Sequence, residues 1–599
     1  MEQIKLRNEV QIEDQWDLTK IYQNDEEWYR NFDVLKKEIK KAPCFKDFLS
    51  SSKRLLEYIQ YDEKVNRLMT KLYYYAHLNL DADTTNTKYQ KMASELSDAG
   101  TEYEEYTSFV IPSFMKTNYA IIEDYMKQEP KLKEYEFMIQ NIYRYQEHTL
   151  DEEKEKMLSI LMDSLSKSSE TYEMLTDSDM EYGTIHDEEG KEVPLTDSNY
   201  SVYLSSKNRE VRKEAFDLMY DTYASFKNTI TSTYVGDIDS NIALAKIRNY
   251  KSAREASLFG DHVDTKIYDN LIDTVHKHLD VLYEYYDLKK QVLKLDELHL
   301  YDIYTDLIEI KELDHYTFDE AKELVLEGLS VLGKDYITNL KKAFDERWID
   351  KYHNKGKRSG AYSSGFYDTN PYILLNFEGK LNDVSTLAHE LGHSMHTYYS
   401  CKNNPYQYSS YQIFVAEVAS TVNELLLAKF LLKKFEDKDS KLYILNRLLE
   451  LFKGTIFRQT MFAEFERDMY QKREQKEALT NDVLCDAYLK LNQKYFGPNV
   501  VVDDKIKYEW ERIPHFYYGF YVYKYATGLS AACYIVNGIL SGKEHALENY
   551  LKFLKTGGSM YPVDELKVAG VDIENPKVIE SAITMFHETL EEMKSLLNK

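Results

Sequence analysis

Helix breakers are scarce in this chain. Its 599 residues hold ten prolines and 21 glycines, and long stretches combine Leu, Tyr, Lys and Glu with apolar positions recurring every three or four residues. A chain with so few places to stop a helix reads as mainly α. Asp151 to Leu175 and Lys266 to Leu295 are good examples. The segment GTIHDEEGKEVPL from Gly183 is polar and aperiodic, and reads as a small hairpin turning on Glu189 and Gly190. It marks an expected boundary between a helical N-terminal region, 1–190, and a second region, 191–599. More than one structural unit is expected at this length.

Charge and cysteine content narrow the class. Lys and Arg total 76 against 102 Asp and Glu, a net charge of −26, which disfavours nucleic acid or an anionic membrane as partner. Cys44, Cys401, Cys485 and Cys533 form no CxxC pair, so reduced thiols are expected. The start MEQIKLRNEVQIEDQW lacks the apolar core of a signal peptide. Together these predict a cytoplasmic protein. Between Phe516 and Gly542 the single charged residue is Lys524, but five tyrosines before Ala526 and four glycines argue against a membrane span. A buried helix lining a cavity fits that stretch better.

The run HELGHSMH, His389 to His396, carries chemistry. His389 and His393 stand i, i+4 and leave one face of a helix, with Glu390 beside them to act on a metal-bound water. Asp383 can cap that helix, and Val384, Leu387, Ala388, Leu391 and Met395 form its apolar stripe. His396 leans toward the same face. The longer metzincin pattern requires glycine at 396 and histidine at 399, where this chain has His396 and Tyr399, so a third ligand must come from elsewhere.

The segment FVAEVASTVNELLLAKFLL from Phe414 offers one. Glu417, Ser420, Thr421 and Glu424 fall at i, i+3, i+4 and i+7, a polar stripe on an otherwise apolar helix. Such a stripe faces either solvent or a filled site, and a carboxylate among apolar residues is costly without a partner. Downstream of HExxH, Glu417 is the candidate third ligand: two histidines, a glutamate and a water complete a catalytic tetrahedral zinc site.

Two further segments bear on substrate. PYILLNF, Pro371 to Phe377, reads as a strand whose exposed edge can pair with an extended peptide. RSGAYSSGF before it, and KTGGSMYP at 555–562, read as mobile loops. Tyr518, Tyr521 and Tyr525 fall at i, i+3 and i+7, grouping phenol donors on one helix face, either for aromatic packing or to stabilise an oxyanion.

HELGHSMH, the Glu417 helix with Glu424, and RIPHFYYGFYVYKYATG, Arg512 to Gly528, together resemble the M3 family of zinc oligopeptidases, and within it the bacterial oligoendopeptidase F group. WDLTKIY from Trp16, REASLFGD from Arg254 and PYILLNFEGKLNDVSTLAHELGH from Pro371 extend the resemblance over nearly the whole chain. It implies a helical zincin-type metallopeptidase, with a small β element beside the HExxH helix, a deep substrate channel and catalysis in 191–599. It further implies one Zn2+ held by His389, His393 and Glu417, with Glu390 as general base.

By the same resemblance His515, Tyr518 and Tyr525 bind substrate and the developing oxyanion, with Tyr521 or Tyr523 as alternative tyrosines; the gap from His515 to Tyr518 is shorter than in the family. Glu424, Ser420 or Thr421 orients a ligand. The implied activity is hydrolysis of internal bonds in short unstructured peptides by a zinc-activated water. A zinc carboxypeptidase or dipeptidyl carboxypeptidase, and a non-catalytic peptide-binding scaffold, are the other readings. Oligomeric state is left open between a monomer and a small homo-oligomer.

Overall fold

Helix starts recur because side-chain acceptors stand where first turns need them. Asn24, Ser51, Asn86, Asn208 and Ser252 each accept a backbone N–H from the helix that follows. The computed structural model describes residues 4–308 and 315–598. Among them helices dominate, joined by turns and three small sheets. The chain divides into two compact units, each assembled from separate stretches: Met1–Thr149, Glu312–Phe430 and Ile535–Gly570 form one, and Leu150–Lys311, Leu431–Tyr534 and Val571–Lys599 the other. Among the described residues no helix is long and apolar enough to cross a membrane.

In the first unit, helices Asp25–Ile39, Ser52–Ala82 and Thr87–Thr107 enclose a core around Trp28, Leu35, Leu55, Val65 and Leu72. The Trp28 indole donates to the Leu72 carbonyl at 2.9 Å, which gives its buried N–H a partner. Tyr372 and Leu374 belong to the same core. They lie on the middle strand of a three-stranded sheet, Tyr372–Leu374, flanked by parallel Ile349–Asp350 and antiparallel Tyr362–Ser364. Asp350 is fully buried and ion-paired to Arg7 at 2.5 Å and Lys357 at 2.7 Å, so its charge is compensated.

Two expectations for this region change. PYILLNF does form a strand, but both its edges are paired, so it has no free edge for a peptide. The outer strand comes instead from the glycine-bearing RSGAYSSGF segment, whose register runs Tyr362↔Leu374, Ser363↔Ile373 and Ser364↔Tyr372. Residues 555–562 are tied down: Gly558 N–H donates to the Tyr408 carbonyl at 2.9 Å and Asn404 Nδ2 to the Lys555 carbonyl at 2.8 Å. Gly557, at φ +53, sits where a Cβ would lie 2.1 Å from that same Tyr408 oxygen.

The HELGHSMH helix runs Leu381–Asn403. Asp383 does serve its start, but from the third helical position, its carboxylate accepting the Glu378 and Lys380 amides at 2.9 and 3.0 Å. Gly392 is the point of closest approach to the Ile413–Lys434 helix: a Cβ there would lie 2.5 Å from Ser420 Cα and 2.6 Å from the Ala419 carbonyl. The two backbones therefore touch, and Asn423 Nδ2 bridges them by donating to the Ala388 carbonyl at 3.1 Å.

In the second unit the 39-residue helix Arg209–Ile247 is the longest element. Asp302, fully buried, anchors its start through Arg209 at 2.9 Å and Arg212 at 2.7 Å. The hairpin forms, pairing Thr184–His186 with Glu192–Pro194. The helix expected over Asp151–Leu175 divides at Ser166 into Glu152–Leu165 and Lys167–Met174. That over Lys266–Leu295 becomes Thr265–His276 and Leu279–Val292.

The tyrosine-rich stretch departs most. Pro514 opens a short 3-10 turn, Pro514–Tyr518, and helix starts only at Tyr523, running to Leu540. Gly519 and Phe520 between them have φ of +48 and +55, a left-handed bend no α-helix passes through. Tyr518, Tyr521 and Tyr525 thus do not share a helix face.

Gly392→Ala is expected to destabilise the protein by about 1–3 kcal/mol through overpacking, and to weaken metal binding because Glu417 lies one turn from the contact. Thermal unfolding with and without metal, alongside a metal titration, checks both; unchanged values contradict the close approach.

Candidate active site

The helix contact at Gly392 brings three ligand-type atoms together. His389 Nε2 and His393 Nε2 each lie 3.4 Å from the same Glu417 oxygen, Oε2, and all three atoms fall within 4.8 Å of one another. A separation of 3.4 Å is long for a hydrogen bond. It matches the edge of a tetrahedron about an ion with bonds of about 2.0–2.2 Å, the range for zinc with imidazole nitrogen and carboxylate oxygen. The donor set therefore fits a tetrahedral ion with a fourth position left for water.

Neighbours orient the ligand side chains. His389 turns its other nitrogen, Nδ1, to Glu424 Oε2 at 3.2 Å, which fixes the ring with Nε2 facing inward. Ser420, fully buried, donates to the Glu417 carboxylate at 3.1 Å. Asn423, which bridges the helices, accepts the Tyr336 hydroxyl at 2.9 Å. Of the three orienting residues left open by the sequence, Glu424 contacts a histidine and Ser420 contacts the carboxylate.

Electrostatics follow from this convergence. Burial opposes protonation of His389, but the bonds to Glu417 and Glu424 prevail and raise it to about 10. Burial acts against the charge on Glu417 too, yet the two imidazoles hold its carboxyl well below the ordinary range. The site favours carboxylate anions around a positive centre. Such a centre suits a cation.

Glu390 is 6% exposed, and its Oε2 has no hydrogen-bond partner. Burial raises its carboxyl, with the histidines and a backbone hydrogen bond from Ser363 acting the other way. A buried carboxylate oxygen without a partner, beside a metal-type donor set, is placed to accept a proton from a bound molecule. Ser363 lies on the outer strand and its hydroxyl also bonds Ser394 Oγ at 2.7 Å. This link between strand and helix was not foreseen, because nothing local in RSGAYSSGF marks it as a strand.

His396 takes no part. It is fully buried, stacked on Tyr411 at 3.6 Å between ring centres, and both ring nitrogens lack partners; burial lowers it to about 3. It is a neutral packed ring. A second triplet, Glu284, His587 and Glu591, also has ligand-type atoms within 4.8 Å, but the Lys594 ammonium sits 2.8 Å from both carboxylates and already supplies the positive charge.

In the second unit, His515, Tyr518, Tyr521 and Tyr525 form one aromatic cluster. The His515 ring lies 5.9 Å from Tyr518, 6.5 Å from Tyr521 and 6.1 Å from Tyr525, and Tyr521 lies 5.5 Å from Tyr525. Tyr518 is 58% exposed. Burial lowers the His515 imidazole, favouring its neutral form. Tyr523 is fully buried against Tyr268. The left-handed bend, rather than a helix face, gathers the cluster.

Glu424→Ala is expected to weaken zinc binding about 10–100-fold by freeing the His389 ring, with His393 and Glu417 intact. Competition against a chelating dye measures it; unchanged affinity removes Glu424 from the orienting role.

The family model described as "Peptidase family M3" matches residues 202–585, and one described as "Oligopeptidase F" matches 114–182. Oligopeptidase PepF of Bacillus subtilis (strain 168) is 44% identical over 598 residues, covering 100% of this chain and 89% of the relative. Group B oligopeptidase PepB of Streptococcus agalactiae serotype III (strain NEM316) is 38% identical over 99% of this chain and 98% of its own length. Among solved structures, oligoendopeptidase-F from Enterococcus faecium is 37% identical, with a TM-score of 0.74 over 96% of this chain and 99% of that one.

Proposed function

The chain belongs to peptidase family M3, and from that membership we infer that it is a metalloendopeptidase of the oligoendopeptidase F type, cleaving internal bonds of peptides. The observation that carries the assignment of the centre is the convergence of His389 Nε2 and His393 Nε2 on one oxygen of Glu417 at 3.4 Å. These three residues would hold one zinc ion, which when bound supplies Lewis-acid polarisation of water and of the scissile carbonyl.

The protein's own groups do the rest. Glu390 takes the proton of the attacking water at its unpartnered Oε2 and passes it to the leaving amine. Its burial raises the carboxyl and so makes it a stronger base once ionised. Glu424 and Ser420 keep the His389 ring and the Glu417 carboxylate in place. The outer strand Tyr362–Ser364 can pair with an extended peptide through its main chain, which asks little of the peptide's side chains. His515, Tyr518 and Tyr525 are assigned as donors to the oxyanion, supported by their clustering and the family resemblance; Tyr521 shares that cluster. In this reading 191–599 carries the chemistry and 1–190 is a helical accessory region. Short unstructured peptides are the substrates, and a cytoplasmic setting is supported by the absence of disulfides among the described residues.

Glu390→Gln is expected to retain full zinc content and lose about 10²–10⁴-fold in kcat. Metal analysis with a peptide assay checks both, and near-normal turnover removes Glu390 as base. Peptides blocked at both termini should be cut as fast as free ones, with products mapped by mass spectrometry. Loss of cleavage on blocking would replace the endopeptidase reading with a terminus-capturing peptidase.

A further inference from the structure

The bend that gathers the aromatic cluster is held by polar contacts on one side and borders empty space on another. Tyr517, Tyr518, Gly519 and Phe520 line a cavity of about 460 Å³. Phe520 carries a Cβ in the left-handed region, a conformation that persists only when its surroundings impose it. Three contacts do so. Glu466, 1% exposed, accepts the Phe520 N–H at 2.6 Å. Ser257 Oγ donates to the Gly519 carbonyl at 2.8 Å. Asp261 pairs with Lys524, in the first turn of the helix that carries Tyr525, at 2.6 Å. Ser257 and Asp261 both come from REASLFGD, a motif to which the metal centre gives no role.

The environment of Glu466 is built for this bond. The Phe520 ring packs on Tyr268 and Tyr470, 5.8 and 4.6 Å between ring centres, and the Tyr268 hydroxyl lies 3.4 Å from Glu466 Oε2. Burial pushes the Glu466 carboxyl up to about 8, so the neutral acid prevails at pH 7. Glutamine, which keeps an acceptor oxygen without charge, is therefore the faithful replacement, and leucine removes the acceptor while filling the space.

We propose that Glu466 is a positioning residue for peptide hydrolysis: by binding the Phe520 amide it locks the Gly519–Phe520 bend, with Ser257 and Asp261 as secondary anchors, and so sets the spacing of His515, Tyr518 and Tyr525. This rests on the assignment of that cluster to the oxyanion. The bond is remote from the metal ligands in sequence and in role, so it governs turnover without governing metal content.

The test is steady-state cleavage of a blocked peptide by the zinc-loaded enzyme carrying Glu466→Leu, Glu466→Gln, Ser257→Ala or Tyr525→Phe, and by the doubles with Tyr525→Phe. Glu466→Leu should lower kcat about tenfold or more with KM changed less than about threefold and zinc content intact, and Glu466→Gln should stay within about threefold of the parent. In the Tyr525→Phe background the leucine substitution should add less than about twofold, because both act through one group. Full turnover of Glu466→Leu, an equal loss in Glu466→Gln, or a multiplicative loss in the double overturns the proposal. If Glu466→Leu does not fold, the exposed Ser257→Ala decides: a loss of a few-fold in kcat that vanishes beside Tyr525→Phe supports it, and unchanged kcat overturns it. Full turnover of Tyr518→Phe and of Tyr525→Phe instead overturns the cluster assignment itself, and the proposal with it, whereas a loss in either with none in Glu466→Leu overturns the positioning role alone.

Discussion

The proposed metal centre depends on how closely two helices approach. Packed helices ordinarily keep their axes about 8–10 Å apart, spaced by side chains. At Gly392 no side chain intervenes, and the Leu381–Asn403 backbone meets Ala419 and Ser420 of the Ile413–Lys434 helix directly. Glu417 stands one turn before that contact and His389 and His393 flank it, so a carboxylate with only two methylenes spans the gap. The same approach lets Asn423 bond the Ala388 carbonyl and puts Glu424 within reach of His389 Nδ1. One missing Cβ thus governs ligand spacing and ligand orientation together.

Local periodicity made the two helices and their polar faces legible. HELGH puts both histidines on one face, and the Glu417, Ser420, Thr421, Glu424 stripe marked the partner. What periodicity cannot express is distance between elements. Gly392 was readable as a mid-helix glycine, which costs about 1 kcal/mol relative to alanine and so signals a reason for its presence, but the partner it meets is 28 residues away. The outer strand was hidden for a related reason: Tyr362–Ser364 is a strand because Tyr372–Leu374 pairs with it, not because of its own glycine-flanked sequence. In the tyrosine segment a helical spacing was read through Gly519, and the left-handed bend there undid it. Its tyrosines still meet, by a turn instead of a face.

Charge at the centre is distributed by role. Glu417 and Glu424 both meet His389, one at each ring nitrogen, so the ring lies between two carboxylates and its inward nitrogen is held in a ligand's orientation. Glu390 differs from both in having a buried oxygen with no partner. Burial favours the neutral form of any carboxyl, and the two imidazoles counter that only in part. Three glutamates within one small site therefore differ because their neighbours differ, and the proposed reading gives them separate roles: Glu417 to bind, Glu424 to orient and Glu390 to move a proton.

The outer strand is joined to the Leu381–Asn403 helix one turn beyond Glu390. Ser363 shares a hydroxyl–hydroxyl bond of 2.7 Å with Ser394, four residues beyond Glu390 on the helix. The strand proposed to take up a peptide main chain is thus tied to the helix that carries the proposed base, Glu390. Peptide pairing through such a strand would use backbone groups common to all sequences. On the proposed reading breadth would come from that main-chain edge, while the Ser363–Ser394 bond holds the edge to the helix that carries Glu390.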